Sequence, residues 1–589
     1  MPVSHLTAAY DFGHSEAAER RVRACVARSA VGHAEFARAY GHSALASGGP
    51  KAVHAEGVAF AAAWVHGPPP TSSISEHGVP TAGASVFASA EGLSLSRGPF
   101  GGRPLYFTCD GAGEVLACTQ LAPIVSDLPR LEFDRDVLAA LILADTPRDA
   151  GATCYRGIRR VGPCETVRFT GRTSRSSFDL PEVPHTRSGS ADDLAGELRD
   201  RLVLAIKRAV GDARSVAVFA GGGVDSSGLF AALVTAPFEF KVRTVAMAFD
   251  FDGPGSDRPH LVELLRHLNA EALREPPAQV SGLVSSSLSL DAAPFTWPTG
   301  PMEVGAARGA RRWGAEVILT GALGDMVLEG PPGHLAERVR RGDVSAFVDA
   351  LRLVESHQST PGARVSRHLV KPLLHPAIPA FLLRQRRRML HHRAVRRSAA
   401  WAWGGPVVRR ILAASPLETT TPDRLTGWAI SPWLAEVADA RGQLEGEAAC
   451  DIADPYLDCD FATFMASVAP EMLFHGNRSR GLFRHAMRGL LPESLRVRSD
   501  KASFEPAFDA IVAGMGGIRA FSSLLTMEAT ADLGLVEPSA FRTAFEEQVR
   551  GTPSNRGWLG IWPAVAVEAF LRRSNASDSP LDFTPPQPS

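Results

Sequence analysis

The stretch VAVFAGGGVDSSGLF, residues 216–230, decides the fold. Its first residues are apolar without alternation and read as a short buried strand; three glycines, Gly221, Gly222 and Gly223, then break it, and a helix opens through Asp225, Ser226 and Ser227. Such a turn can wrap phosphate. Glycines let backbone N–H groups converge on an anion with no Cβ in the way, the helix N-terminus adds partial positive charge, and the two serines supply hydroxyl donors. Asp225 suits a different role, holding Mg2+ beside those phosphates. The chain has no Gly-Lys-Ser/Thr of a Walker loop, and no GxGxxG dinucleotide fingerprint.

Outward from this turn the pattern alternates. Upstream, Leu194, Leu198, Leu202 and Ile206 recur every four residues as one face of a helix. Downstream, KVRTVAMAF (241–249) reads as a second strand, PHLVELLRHLNAEA (259–272) as a second amphipathic helix, PMEVGAARGARRWG (301–314) as another helix and EVILTG (316–321) as a third strand. Strand and helix in alternation predict an α/β fold with a parallel, doubly wound sheet and helical additions. Residues 1–180 differ: short alternating apolar stretches such as GVAFAAAWVHG read as strands of a layered sheet domain. DLPEVPHTRSGS (179–190) reads as the linker between the two, giving domains at 1–180 and 191–573. The polar, Pro-rich tail 574–589 is expected to be disordered.

Composition narrows the class. The chain has 589 residues, more than one core organises, and its 62 basic and 63 acidic residues give no chain-wide footprint for nucleic acid. Seven cysteines, odd in number and without a CxxC pair, suit a reducing compartment. Neither a signal peptide nor a membrane span is legible, so a cytoplasmic protein is expected. Only five of the 62 basic residues are lysines, Lys501 among them, so a retained lysine ranks high as a chemical candidate. Ten Arg or Lys crowd residues 364–397, read as a solvated helical face in preference to a docking surface.

The glycine turn resembles the pyrophosphatase (PP-loop) motif SGGxDSS of enzymes that split ATP to AMP and pyrophosphate, with Gly221 where that family has Ser. A second segment, LTGALGDMVLEG (319–330), resembles the TGxGxDE segment of the asparagine-synthetase-like superfamily, and a third, 451–508, resembles its carboxy-terminal run from ExRxPFLD through GLLP to RxKxxF. The resemblance implies ATP and Mg2+, nucleotide or pyrophosphate contacts at Phe219, Gly221, Gly222, Gly223, Val224, Asp225, Ser226, Ser227, Met247, Thr320 and Gly321, and metal coordination by Asp225 and Asp325. It implies that Lys501 stabilises charge developing on the α-phosphate and the tetrahedral intermediate, and that Asp451, at the Glu of ExRxPFLD, orients or acts as a base. Ala322 stands where relatives carry a catalytic Glu or Tyr, and Met326 replaces the acid after Asp325.

In the amino-terminal part, LSLSRGPFGGRPLYF (93–107) and CYRGIRRVGP (154–163) resemble a glutamine-amidotransferase domain, an Ntn-hydrolase-like αββα sandwich. Residue 2 is Pro2 where a working glutaminase carries its nucleophilic Cys, so ammonia from glutamine is not the expected nucleophile. Relatives built this way are cyclases. The run Arg498-Ser499-Asp500-Lys501-Ala502-Ser503-Phe504 resembles the RxDKAxF of lasso-peptide macrolactam cyclases, which implies a precursor peptide as substrate and a leader peptidase and leader-recognition protein as partners. A beta-lactam or asparagine-synthetase-like small-molecule ligase, and a non-catalytic scaffold, stand as alternatives.

Overall fold

The computed structural model describes the chain apart from residues 1–4, 11–21, 23–35, 41–42, 49–51, 56–57, 65–82, 90–91, 111–113, 145–148, 183, 240, 250–255, 276–279, 289, 291, 332, 355–359, 375–423, 501–502, 552–556 and 576–589. The four-residue repeat at 194–206 becomes α1 (Ala191–Val210), started by Ser190, whose side chain accepts from the Asp193 N–H, with Leu194, Leu198, Leu202 and Ile206 buried. After it come β1 (Ser215–Phe219), α2 (Val224–Thr235), β2 (Arg243–Phe249), β3 (Ala272–Glu275), α3 (Gly300–Trp313), β4 (Val317–Thr320), the single turn α4 (Gly324–Val327), α5 (Pro432–Ala448) and β5 (Asp451–Ala453).

The five strands form one sheet in the order β3-β2-β1-β4-β5, every pair parallel. Chain order reverses between β1 and β4, and in open parallel sheets the crevice at such a switch point, outside the strands' carboxyl ends, is where ligands bind. Both faces are covered, which is why the strands are apolar without alternation. Val216, Val218 and Leu319 pack with α1 and α2, while Ala217, Ile318 and Ile452 pack with Val304, Ala307, Leu444 and Ala448 of α3 and α5.

Two of the five strands are not legible in the sequence. Residues 271–272 read there as the end of a helix, but the helix stops at Asn269, a left-handed C-cap, and Ala272–Glu275 turns back as an edge strand. β5 is three residues long and carries no periodicity.

The amino-terminal part contains two six-stranded sheets, antiparallel throughout. Between them lie Ala84, Val86, Leu93, Leu95, Phe107, Val115 and Phe169. These are two antiparallel β layers, and most segments that would supply the outer helices of the expected αββα sandwich lie outside the described residues. The linker is not free: the Arg187 N–H donates to the Ser467 carbonyl (2.7 Å) and its carbonyl accepts from Ala469 (3.2 Å). The last helix runs Trp562–Asn575, two residues into the expected tail. Of the Arg-rich segment, 375–397 lies outside the described residues. No described helix is long and apolar enough to cross a membrane, and the six described cysteines are free thiols.

Three buried arginines hold the two parts together. Arg97, Arg103 and Arg160 are almost fully enclosed and face acids on one helix, α5. Arg160 donates to Glu436 at 2.9 Å and to Asp439, Arg97 lies 3.7 Å from Asp439, and Arg103 pairs with Glu445 and with Asp451.

Candidate active site

The sheet register sets a line of side chains across the carboxyl edge. Phe219 pairs with Met247 on one side and with Thr320 on the other. The sequence motifs put all three near the nucleotide, and all three lie at the switch point. Beyond Phe219 the chain turns through Gly222 at φ +110°, a conformation L side chains rarely adopt, and a Cβ there would come within 2.7 Å of the Asp257 carbonyl oxygen. Gly223 then caps α2, whose first turn contains Val224, Asp225, Ser226 and Ser227, with the Ser227 N–H donating back to the Gly223 carbonyl at 3.0 Å. Gly222→Ala is accordingly expected to cost about 1–3 kcal/mol in backbone strain alone and to weaken ATP binding at least tenfold. A thermal melt and an ATP titration check both.

The second loop lies directly against the first, and two glycines make that approach possible. A Cβ at Gly321 would meet the Ser226 Cα at 3.0 Å, and one at Gly324 would meet the Asp225 Cβ at 2.6 Å. Thr320 Oγ1 accepts from the Ala322 N–H (3.1 Å), which fixes the start of the loop. The result is that Asp225 and Asp325, 100 positions apart in the chain, face a single guanidinium. Arg480 Nε lies 3.0 Å from Asp225 Oδ1, its Nη2 contacts Asp325 Oδ1, and Glu329 is 3.9 Å away. Arg480 is buried, takes the left-handed conformation (φ 56°) and caps α6 (Gly481–Ala486).

Further contacts brace the same turn. Arg498 Nη1 donates to the Gly222 carbonyl (3.1 Å) and to Asp257 (2.5 Å), while its Nε and Nη2 form a bidentate pair with Asp500, both at 3.0 Å. The hydrogen bonds from Arg498 hold the Asp500 carboxyl below its usual range. Burial raises that of Asp257, against the pull of Arg498. Tyr456 Oη donates to the Asp225 carbonyl at 2.8 Å. Asp454 is buried; burial pushes its carboxyl up to about 6, against an ion pair with Arg441 at 2.7 Å.

Lys501 lies outside the described residues. The chain enters it from Asp500, which Arg498 ties to the glycine turn. Asp451 is placed elsewhere: it pairs with Val317, at the amino end of β4 and the opposite edge of the sheet from Thr320, and accepts from Arg103 Nη2 at 2.7 Å. The structure therefore brings together the residues of the two loops and leaves Asp451 apart from them. Sequence reading assigns no role to Arg480, Arg498, Tyr456 or Asp454. The signals for them are position, since all four fall within 451–508, and, for Arg498, its place at the head of the run matched to RxDKAxF.

The arrangement fits a magnesium nucleotide. Two carboxylates from adjacent strand ends meet beside a helix N-terminus, and among the described residues no group of three or more His, Cys, Asp or Glu could hold a metal by itself. Mg2+ is commonly held this way, by one or two carboxylates with phosphate oxygens completing the shell.

Residues 197–572, more than half of the chain, match the family described as asparagine synthase. A comparison with curated proteins finds no match. Among solved structures the chain is similar to NMN synthetase from Francisella tularensis (16% identity over 24% of this chain and 58% of that one, TM-score 0.17). It is also similar to the U34-tRNA thiolase from Methanococcus maripaludis (14% identity, 45% and 78%, TM-score 0.19). A third is glutamine phosphoribosylpyrophosphate amidotransferase from B. subtilis (14% identity, 46% and 81%, TM-score 0.20). The chain spans 58% of the first of these, less than two thirds, and likeness at such scores carries no argument.

Proposed function

The chain belongs to the asparagine synthase family, and from that premise we propose that it is an ATP-dependent macrolactam synthetase acting on a precursor peptide. The observation that carries the ligase reading is the convergence of Asp225 and Asp325 on Arg480 at the switch point of the sheet. In the proposed reaction a peptide Asp or Glu side-chain carboxylate attacks the α-phosphorus of ATP, and pyrophosphate leaves. The peptide's own N-terminal amine then attacks the acyl carbon, AMP leaves with the electron pair of the broken C–O bond, and the amine gives up its proton.

Asp225 and Asp325 would hold Mg2+, which when bound neutralises phosphate charge. The glycine turn and the first turn of α2 would offer N–H groups and the Ser226 hydroxyl to phosphate oxygens, while Ser227 is fully buried in the structure and its hydroxyl would reach them only if the turn opened. Phe219, Met247 and Thr320 would line the nucleotide, and Lys501 would meet charge that develops in the transition state. An amine near ~7.7 in pKa is already partly neutral at neutral pH, which is compatible with Ala322 in place of a base. Proximity within one folded peptide supplies much of the rest.

The Asp of RxDKAxF supports the lasso-type reading, because Asp500 locks Arg498 onto the glycine turn. The amino-terminal part is proposed as an amidotransferase-type domain without its nucleophile, and a leader peptidase and a leader-recognition protein as partners. The deciding experiment is ATP–pyrophosphate exchange with a candidate precursor core peptide and, separately, with free aspartate. Exchange that needs the peptide is the expected result. Exchange that needs free aspartate, with net pyrophosphate release on adding ammonium, would make it an asparagine synthetase, and none with either substrate, by a folded protein, would favour a scaffold or a small-molecule ligase.

A further inference from the structure

The segment from Asp451 to Tyr456 touches three distant parts of the molecule. At its start, Asp451 accepts from Arg103 of the amino-terminal part, and Glu445 Oε1 takes the Ile452 N–H at 3.0 Å while also pairing with Arg103. In the middle, Asp454 accepts from Arg441 of α5 at 2.7 Å. At its end, Tyr456 Oη donates to the carbonyl of Asp225, inside the phosphate turn. The Tyr456 ring is fully buried against Phe461 and Phe483, so it has little room to move independently of its own backbone. Between the Arg103 turn, α5 and β5 lies a small cleft lined by Arg103, Arg441, Glu445, Ile452 and Asp454.

From these contacts we propose that residues 451–456 act as a strap by which the amino-terminal part sets the nucleotide turn, with Arg103 as its anchoring and positioning residue. The inference rests on the nucleotide-binding reading above, and it gives the amino-terminal part a role that needs no glutaminase nucleophile. Among the described residues Arg103 is the one cation that reaches both Glu445 and Asp451. Its removal takes from Glu445 and Asp451 the cation they share and loosens the hold of Glu445 on the Ile452 N–H, so the start of β5 is freed to move. Movement of β5 is passed through Tyr456 to Asp225, because a packed interior transmits displacement instead of absorbing it. Asp451, placed away from the loops, thereby acquires a role as the handle of the strap.

Arg160 supplies the control. It makes the same kind of buried pair between the same two parts, with Glu436 and Asp439 of the same helix, and among the described residues its side-chain hydrogen bonds and ion pairs go to Ala150, Glu436 and Asp439, outside β5. In the full chain, ATP affinity in the presence of Mg2+ and the exchange rate at saturating ATP are measured for the parent, Arg103→Met, Arg103→Lys, Arg160→Met, Tyr456→Phe and the Arg103→Met/Tyr456→Phe double variant. Arg103→Met is expected to weaken ATP binding about tenfold or more while saturated turnover falls less than about threefold, with partial recovery in Arg103→Lys. Arg160→Met is expected to lower the melting temperature comparably and shift ATP affinity less than about twofold. The double variant is expected to bind no worse than the weaker single one, since both cuts sever one path.

Equal affinity losses for Arg103→Met and Arg160→Met, or additive losses in the double variant, would overturn the strap. If Arg103→Met does not fold, the same comparison is made with Arg103→Lys. A parent that binds no ATP would bring down the nucleotide reading itself, and the strap with it, whereas a parent that binds ATP with indifferent variants refutes only the strap.

Discussion

Lys501→Ala is expected to lower peptide-dependent ATP–pyrophosphate exchange by about 10²–10³-fold, the usual loss when one preorganised donor to developing charge is removed. The α-phosphate gains negative charge as the carboxylate attacks it, and an ammonium stabilises that state more than the ground state. Saturated turnover should therefore fall much further than ATP affinity. Lys501→Arg should recover little, because a planar fork does not reproduce a compact point charge on a flexible stem. In a chain where arginine supplies nearly all the cations, only five basic residues of 62 being lysine, failure of Arg here would explain why this lysine is present. A rate within threefold of the parent in Lys501→Ala would remove the residue from the chemistry.

The second large effect belongs to Arg480. It is buried and holds two carboxylates of adjacent loops, so Arg480→Met removes the guanidinium that Asp225 and Asp325 share. Removing one partner of an enclosed pair typically costs 3–5 kcal/mol, and because the Asp325 side chain is half exposed the loss here is put at about 2–3 kcal/mol. The variant's melting temperature should be depressed in chelator and partly restored by millimolar Mg2+, which replaces the missing charge, whereas the parent should respond far less to Mg2+ alone. Exchange activity is expected to fall by about a hundredfold or more, as the two loops lose their common centre. A melting curve of Arg480→Met indifferent to Mg2+ would mean that the two acids do not form a divalent-cation site.

Both predictions depend on residues that differ in how readily a sequence discloses them. Lys501 stands out by its rarity and by the run around it. Arg480 is one arginine among many in NRSRGLFRHAMRG, and no local pattern marks its guanidinium as the centre of the site. The same contrast divides Asp451 from Asp454 and Tyr456. Pattern matching draws attention to Asp451, which the register of β4 and β5 places at the far edge of the sheet, while its neighbours three and five positions on sit by the loops.

By itself the sequence determined what is local: the strand-glycine-helix turn, because a glycine tolerates the φ +110° of Gly222 where a Cβ would strike Asp257, the buried face of α1, because its four-residue apolar spacing is that of a helix, and β1, because a short unbroken apolar run is cut off by three glycines. It also determined the family, through motifs that are contiguous in the chain. The tertiary structure decided what depends on residues far apart. The two missed strands gain their conformation from pairing, since four and three residues have too little intrinsic preference to form strands alone. Arg498 reaches the Gly222 carbonyl across 276 positions and Tyr456 reaches Asp225 across 231. Such contacts leave no periodicity to read, because a charged or phenolic side chain owes its place to the partner that packing brings to it and not to the residues beside it in the chain.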